Sequence, residues 1–294
     1  MIVFWRKIYA KHDNLKAYTL LSPALILVIL AMVVPMALML SFSMFTQVSM
    51  MEIDYTFTFQ RYIDFFKKNL LVTLLIKSIK ISFLVTLITL ITAYPVCYYI
   101  AFYVKKNKML WVVLLTLPFW TSYLLRVFSW KIILGTKGVI NSSLINAGIL
   151  SEPLTFLMYS ETAVVITLTH AWAAFALLPL YVSLEKIDFS LIEAGRDLGL
   201  SRFEVFWKIT FPLSLPGVIG AILIIFIPTV GDYVTPALLG GTDGRMLSNM
   251  IQAYFGKINN MPLGAASATI MLTTVVLITI IVSNVTKRLT QRLN

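Results

Sequence analysis

Apolar residues in this chain come in long unbroken runs, not in the alternating or one-sided patterns of soluble strands and helices. A helix needs about 20 apolar residues to cross a hydrocarbon core, and six stretches reach or approach that length. The first lies between Lys16 and Glu52, and the second runs from Ile81 to Val104. The third starts at Met109 and meets Arg126 before it finishes near Trp130. The fourth runs from Thr162 to Leu184, the fifth from Ile209 to Gly231, and the sixth lies within Ile258 to Thr286. Barrel strands would be short and alternating, so these runs predict helices. The first run is roughly twice the length of a secretory h-region and has no A-x-A-like site, so it is expected to be an uncleaved span.

The segments between the runs are patterned differently. Arg61 to Lys80 interleaves Phe65, Phe66, Leu70, Leu71, Leu74 and Leu75 with lysines, which predicts an amphipathic stretch at an interface leading into span two. Residues 134–160 and 234–262 are too long for simple hairpins and carry several glycines; the second holds a short helical pattern near Met246 to Phe255.

Composition narrows the class further. Hydrophobic residues make up 59% of the 294 and charged residues 13%, against about 45–50% and about 25% in soluble domains. Mean hydropathy is +0.87. Too few polar residues remain to cover a soluble core, which excludes an ordinary soluble enzyme, a disordered chain and a fibrous repeat. The fold class expected is an all-α membrane protein with six transmembrane helices.

The net charge of +11 would suggest a nucleic-acid partner in a soluble chain. Here no basic run is long enough to track a phosphate backbone. With six spans both ends share one side, and that side holds 14 of the lysines and arginines against nine on the other. The bias predicts both termini in the cytoplasm. The expected division is a cytoplasmic tail over 1–16, a first transmembrane helix over 17–45, an external loop over 46–69, a five-helix unit over 70–286 and a cytoplasmic tail over 287–294. The single cysteine, Cys97, excludes an internal disulfide and a cysteine metal cluster; it is expected to be buried and inert.

The loop over 185–216 is the most informative. Ser190 precedes Glu193 by three residues, and Ser201 precedes Glu204 by three; each pair is a capping-box signature of a helix start. Gly199 falls where a left-handed residue would end the first helix. Pro212 falls where the second should stop or kink. The first helix would place Leu191, Ala194 and Leu198 on one stripe, and Glu193 and Asp197 together on another. A compact helix pair with an acidic face suits docking into a groove of a partner; a solvated surface pair is the competing reading.

The segment Glu193-Ala194-Gly195-Arg196-Asp197-Leu198-Gly199, followed by Ile209, Pro212 and Pro216, resembles the EAA loop of ABC-importer permeases. Gly195 stands where that family usually has a second alanine, and Phe211-Pro212 where it often has Leu-Pro. Three segments narrow the resemblance to the spermidine/putrescine importer permeases: Leu117-Pro118-Phe119-Trp120-Thr121-Ser122, Gly138-Val139-Ile140-Asn141, and Gly231-Asp232-Tyr233-Val234-Thr235-Pro236-Ala237-Leu238-Leu239-Gly240-Gly241. The resemblance implies a type I ABC importer permease fold in a bacterial inner membrane. It implies a second homologous permease subunit, a cytoplasmic ABC ATPase dimer and an extracytoplasmic substrate-binding protein, with lipid around them and no nucleic acid. Glu193, Ala194, Gly195, Asp197, Gly199 and Pro212 would then couple the loop to the ATPase. No G-x-x-x-x-G-K-[ST] phosphate loop occurs, so ATP would be used by a partner chain, and this one needs no cofactor, metal or catalytic set of its own.

Ionisable groups at membrane depth are costly and usually functional. Asp232 closes span five beside Tyr233; Arg126 sits late in span three near Trp120 and Tyr123. A cationic amine needs carboxylates or aromatic faces on its route, and these five are the substrate-pathway candidates. Asp232 could instead mark the membrane boundary or pair with Arg126, and Trp120 and Trp130 could be interfacial belt residues. His170, within span four, reads as a hydrogen-bonded interhelical residue. The expected solute is a small cation, with a polyamine first; an amino-acid derivative, a quaternary amine and an iron chelate are the alternatives. An ion-gradient transporter would show paired intramembrane carboxylates or inverted repeats, and neither is visible. A membrane enzyme would need a motif such as H-E-x-x-H or G-x-S-x-G, and none is present.

Overall fold

The computed structural model describes residues 13–49 and 52–293. The tail over 1–12 with Arg6, Lys7 and Lys11, and the side chains of Lys287, Arg288 and Arg292, lie outside what it describes. The chain runs through α1 (Asp13–Phe42), a small hairpin of β1 (Thr46–Ser49) and β2 (Glu52–Asp54), α2 (Gln60–Lys67) and α3 (Asn69–Phe102). Next come α4 (Lys108–Thr116), a 3-10 turn over Leu117–Trp120, α5 (Tyr123–Leu134), α6 (Val139–Asn146) and α7 (Glu161–Glu185). The short helices α8 (Phe189–Asp197) and α9 (Arg202–Val205) follow, and α9 runs on through a π turn over Phe206–Thr210 into α10 (Phe211–Gly231). The chain ends with α11 (Val234–Leu239), α12 (Leu247–Phe255) and α13 (Met261–Leu293). Five of these helices are long and apolar enough to cross a membrane, and the bent pair around α4 and α5 makes a sixth crossing possible.

The core is a three-helix packing of α3, α7 and α10. Ile81, Val85 and Cys97 meet Leu168, Leu180 and Leu184, and both meet Ala221 and Ile225, all buried. α7 is apolar all round; one side is buried in the bundle, while Phe175, Leu178 and Val182 stay exposed on the other. Both of its terminal carboxylates are paired: Glu161 with Lys80 at 2.9 Å and Glu185 with Lys108 at 3.2 Å. α7 and α10 cross so closely at Gly217 that a Cβ there would run into Pro179 O and Ser183. The Gly217 N–H donates instead to Ser183 Oγ at 3.2 Å. Small residues permit such approaches in membrane bundles.

The second run begins earlier than its charge-free stretch. α3 starts at Asn69, not Ile81, and spans 34 residues, about 51 Å at 1.5 Å per residue. The lysines that hid its start are satisfied at the bundle end: Lys77 donates to Asp243 O at 2.7 Å, and Lys80 meets Glu161. The amphipathic stretch from Arg61 to Lys80 is therefore divided. Its first part is α2, whose Phe65 is fully buried with Leu71, Leu247 and Leu263, and its second part is the opening of α3.

The third run is not one helix. Its two halves are bent by 80°. Pro118 lacks an N–H and its ring crowds the preceding turn, so α4 tightens into the 3-10 turn. Thr121 then turns extended, at φ −69° and ψ 155°, before α5 begins.

Candidate functional site

Two sites stand at opposite ends of the packed core. At one end the α8–α9 pair is built by local chemistry. α8 is capped by Asp188, whose carboxylate accepts from Ser190 N at 2.9 Å. The capping box expected at Ser190 is replaced by a simple N-cap two residues earlier, where the Asp188 carboxylate takes a free N–H of the first turn. Accepting that N–H holds the Asp188 carboxyl below its usual range. The second box is as expected: Ser201 Oγ accepts from Glu204 N, and the Glu204 carboxylate accepts from Ser201 N at 3.0 Å.

Between the two helices lies a Schellman turn. Leu200 N donates to Gly195 O at 3.1 Å and Gly199 N to Arg196 O at 2.9 Å, with Gly199 at φ +85°. A Cβ at Gly199 would meet nothing within 4 Å, so glycine is required there by backbone conformation alone. At Gly195 the requirement is space: a Cβ would lie 2.5 Å from Ile209 Cδ1. Pro212 neither stops nor sharply kinks the helix. The Phe211 N–H reaches back to Phe206 O, and this wider π turn relieves the clash that proline makes with the preceding turn.

α8 buries Ile192 and Gly195 and presents the opposite side. Leu191, Ala194 and Leu198 form the expected stripe, and it faces outward beside exposed Glu193 and Asp197. Leu198 is 83% exposed and Phe203 72%, so the pair shows an apolar face flanked by acid. Behind it, aromatic rings tie the loop to α3: Phe206 meets Tyr94 at 5.8 Å and Tyr98 at 6.0 Å, and Phe189 meets Phe102 at 6.4 Å. Sequence reading missed this tie, since nothing in the spacing links residues a hundred positions apart.

The second site lies where the start of α5, the middle of α7 and the turn into α11 meet. Asp232 ends α10 and turns the chain. Its Oδ1 accepts from Val234 N at 3.0 Å, and its Oδ2 accepts from Tyr123 Oη at 2.6 Å. The Tyr123 hydroxyl gives its one proton to the carboxylate, so Thr235 Oγ1, 2.6 Å away, donates to it. Ser248 Oγ also donates to Asp232 O at 2.6 Å.

Arg126, one turn along α5, does not pair with Asp232. Its guanidinium carbon lies 5.4 Å from the Phe119 ring and 6.0 Å from the Tyr123 ring, and Nη1 donates to Ala171 O at 3.3 Å. Trp172 stacks obliquely on Tyr123 at 6.4 Å. His170 sits between rings, 5.1 Å from Phe119 and 5.4 Å from Trp130, so its contacts are aromatic where a hydrogen bond was expected.

Of the five pathway candidates the fold gathers Tyr123, Arg126 and Asp232. Trp120 is 78% exposed and Tyr233 45%; Tyr233 is held through its backbone, its carbonyl accepting from Asn249 Nδ2 at 2.7 Å. The face of α7 was not foreseen. Thr167 Oγ1, Thr169 Oγ1 and Trp172 Nε1 are buried with no hydrogen-bond partner, as is Arg126 Nε. Buried polar atoms are normally satisfied by protein, water or ligand, and these four have no protein partner among the described residues. Among the described residues no three His, Cys, Asp or Glu side chains gather where they could hold a metal.

Comparison with known proteins places this geometry. Residues 22–294 match the family of binding-protein-dependent transport system inner membrane components. The chain is 35% identical over 233 residues to the spermidine/putrescine transport system permease protein PotB of Haemophilus influenzae, covering 79% of this chain and 81% of that one. It is 36% identical over 194 residues to the protein of that name from Escherichia coli, covering 66% and 70%. Among solved structures it is similar in fold to a chain of a bacterial ABC transporter that imports the acidic polysaccharide alginate. There the TM-score is 0.71 at 16% identity, over 97% of this chain and 98% of that one. A chain of the MetNI methionine ABC transporter matches with a TM-score of 0.52 at 17% identity, over 76% and 96%.

Proposed function

This chain belongs to the family of binding-protein-dependent transport system inner membrane components, and we propose that it is a permease subunit of an ATP-driven polyamine importer. It is a multi-pass inner-membrane protein with the type I ABC importer permease fold, and its own work is to shape a route, not to catalyse a reaction. The observation that carries the substrate is the acid–aromatic site: a carboxylate held by Tyr123, whose ring has Trp172 beside it and faces Arg126 together with Phe119. An ammonium group losing water in a narrow passage is stabilised by such a carboxylate, and more strongly as the local dielectric falls. The relatives at 35–36% identity that are named for spermidine and putrescine support the same chemistry.

The rest of the reading follows from the polarity of the molecule. The α8 end faces the cytoplasm, in line with the excess of basic residues on that side. Its exposed apolar stripe, with Glu193 and Asp197 beside it, docks on one subunit of an ATPase dimer, and Gly199 and Pro212 shape the joint. The opposite end receives solute from an extracytoplasmic binding protein, and a second, homologous permease completes the route. Uptake by the assembled importer in proteoliposomes tests the proposal. Labelled spermidine should be taken up with ATP and displaced by putrescine, not by amino acids, quaternary amines or iron chelates. Displacement by one of those other solutes instead would overturn the substrate reading.

A further inference from the structure

Arg126 poses a problem for any cation route: a fixed positive charge sits one helical turn from Tyr123, which holds the carboxylate meant to attract cations. It is also weakly held. A guanidinium has five N–H donors, yet among the described residues its hydrogen bonding is one long contact to Ala171 O at 3.3 Å, and its Nε is buried without a partner. An arginine kept for structure would saturate more of its donors or take the nearby carboxylate. Asp232 is instead occupied by Tyr123 Oη and Val234 N. What Arg126 does have is rings: Phe119 at 5.4 Å and Tyr123 at 6.0 Å, the geometry in which an aromatic face attracts a cation.

We propose that the Arg126 guanidinium is a tethered stand-in for the transported cation, filling the Phe119–Tyr123 ring site at rest and yielding it to an ammonium group of the solute. This rests on the polyamine reading above. Tyr123 joins the two halves of the site, since its ring faces the guanidinium and its hydroxyl holds Asp232. A solute with two ammonium groups can engage both halves, displacing the guanidinium from the rings and meeting Asp232. A single small cation engages one half and competes poorly with a cation that is covalently attached. The tether therefore selects for polyamines over inorganic cations and monoamines, and it keeps the ring site filled when no solute is present.

The test uses the assembled importer in nanodiscs, without the binding protein, and compares three variants with the parent. Arg126→Met removes the charge and keeps an unbranched stem; Arg126→Lys keeps the charge; Arg126→Ala vacates the site. Spermidine should bind Arg126→Met about tenfold more tightly than the parent, since about 1.4 kcal/mol of competition is relieved. Binding to Arg126→Lys should stay near that of the parent. Methylguanidinium should bind Arg126→Ala saturably and be displaced by spermidine. In uptake assays Arg126→Met should admit putrescine and a monoamine such as butylamine with little discrimination. Normal polyamine uptake by the parent with no gain in affinity for Arg126→Met, or Arg126→Lys behaving as Arg126→Met does, would overturn the stand-in and leave the substrate reading intact. A parent importer that carries no polyamine would bring down both.

Discussion

Gly199 and Gly195 are neighbours in one turn, and their requirements differ in kind. Gly199 has open space around it and a backbone at φ +85°, so a side chain there strains only the main chain, by about 1 kcal/mol or more. Gly199→Val should lose uptake and ATPase binding while still inserting, and Gly199→Asn, which tolerates the left-handed region, should keep most of both. Equal loss in the two variants would show that something other than backbone conformation matters. Gly195→Ala instead presses on Ile209 and should be rescued by Ile209→Val, read as recovery of uptake. At the other site Tyr123→Phe removes the hydroxyl shared by Asp232 and Thr235. It should lower thermal stability by about 1–3 kcal/mol and reduce uptake. Asp232→Asn should lower uptake with the ATPase still bound. The sequence nominated these residues one at a time. That Tyr123 reaches Asp232 across 109 positions is set by tertiary packing, which no local spacing encodes.

At the scale of elements, hydrophobic length was the readable quantity. A bilayer demands about 20 apolar residues per crossing, so α1, α7, α10 and α13 sit close to their runs. Start and stop positions were read less well. α3 begins 12 residues before its charge-free stretch because Lys77 and Lys80 find partners at the bundle end. α8 takes Asp188 over Ser190 as its cap because both side chains reach similar N–H groups and a sequence pattern does not rank them. The bend in span three carries no polarity signal, because Pro118 lies inside an apolar run. The bend should nevertheless be proline's doing. Pro118→Ala should raise the helical content of an isolated 108–134 peptide in detergent, measured by circular dichroism, and slow uptake in the assembled importer. No change in either would assign the break to packing against α7 and α11.

Over the whole molecule, one end carries the α8–α9 pair with its exposed apolar stripe, and the other carries short helices and the partnered lysines Lys77 and Lys80. Cysteines placed at exposed Ser201 and exposed Thr242 should label from the cytoplasmic and the external side respectively. The reverse pattern would invert the assembly drawn above. The packed unit is held mainly by α3, α7 and α10, with α7 ionically pinned at both ends. α1 is different: its spanning window has no buried residue within this chain. Its surroundings must come from lipid or from another subunit, so a melt of the separated chain in detergent should report the core and leave α1 nearly silent.

The 80° bend in span three also bears on how the protein is made. Residues 109–130 read as one apolar segment and are synthesised before spans four to six. Irregular backbone is tolerated at that depth only when protein or water covers it. The cover comes from chain not yet synthesised: Ala163 of α7 and Leu239 of α11, which pack on Val127 and Leu134, and Asp232, which takes the Tyr123 proton. Pro118 breaks the nascent segment from the start, and the contacts that cover the elbow arrive only with spans four and five. The contact of Tyr123 with Asp232 is among the last features to form, because residue 232 follows five of the six spans in the chain.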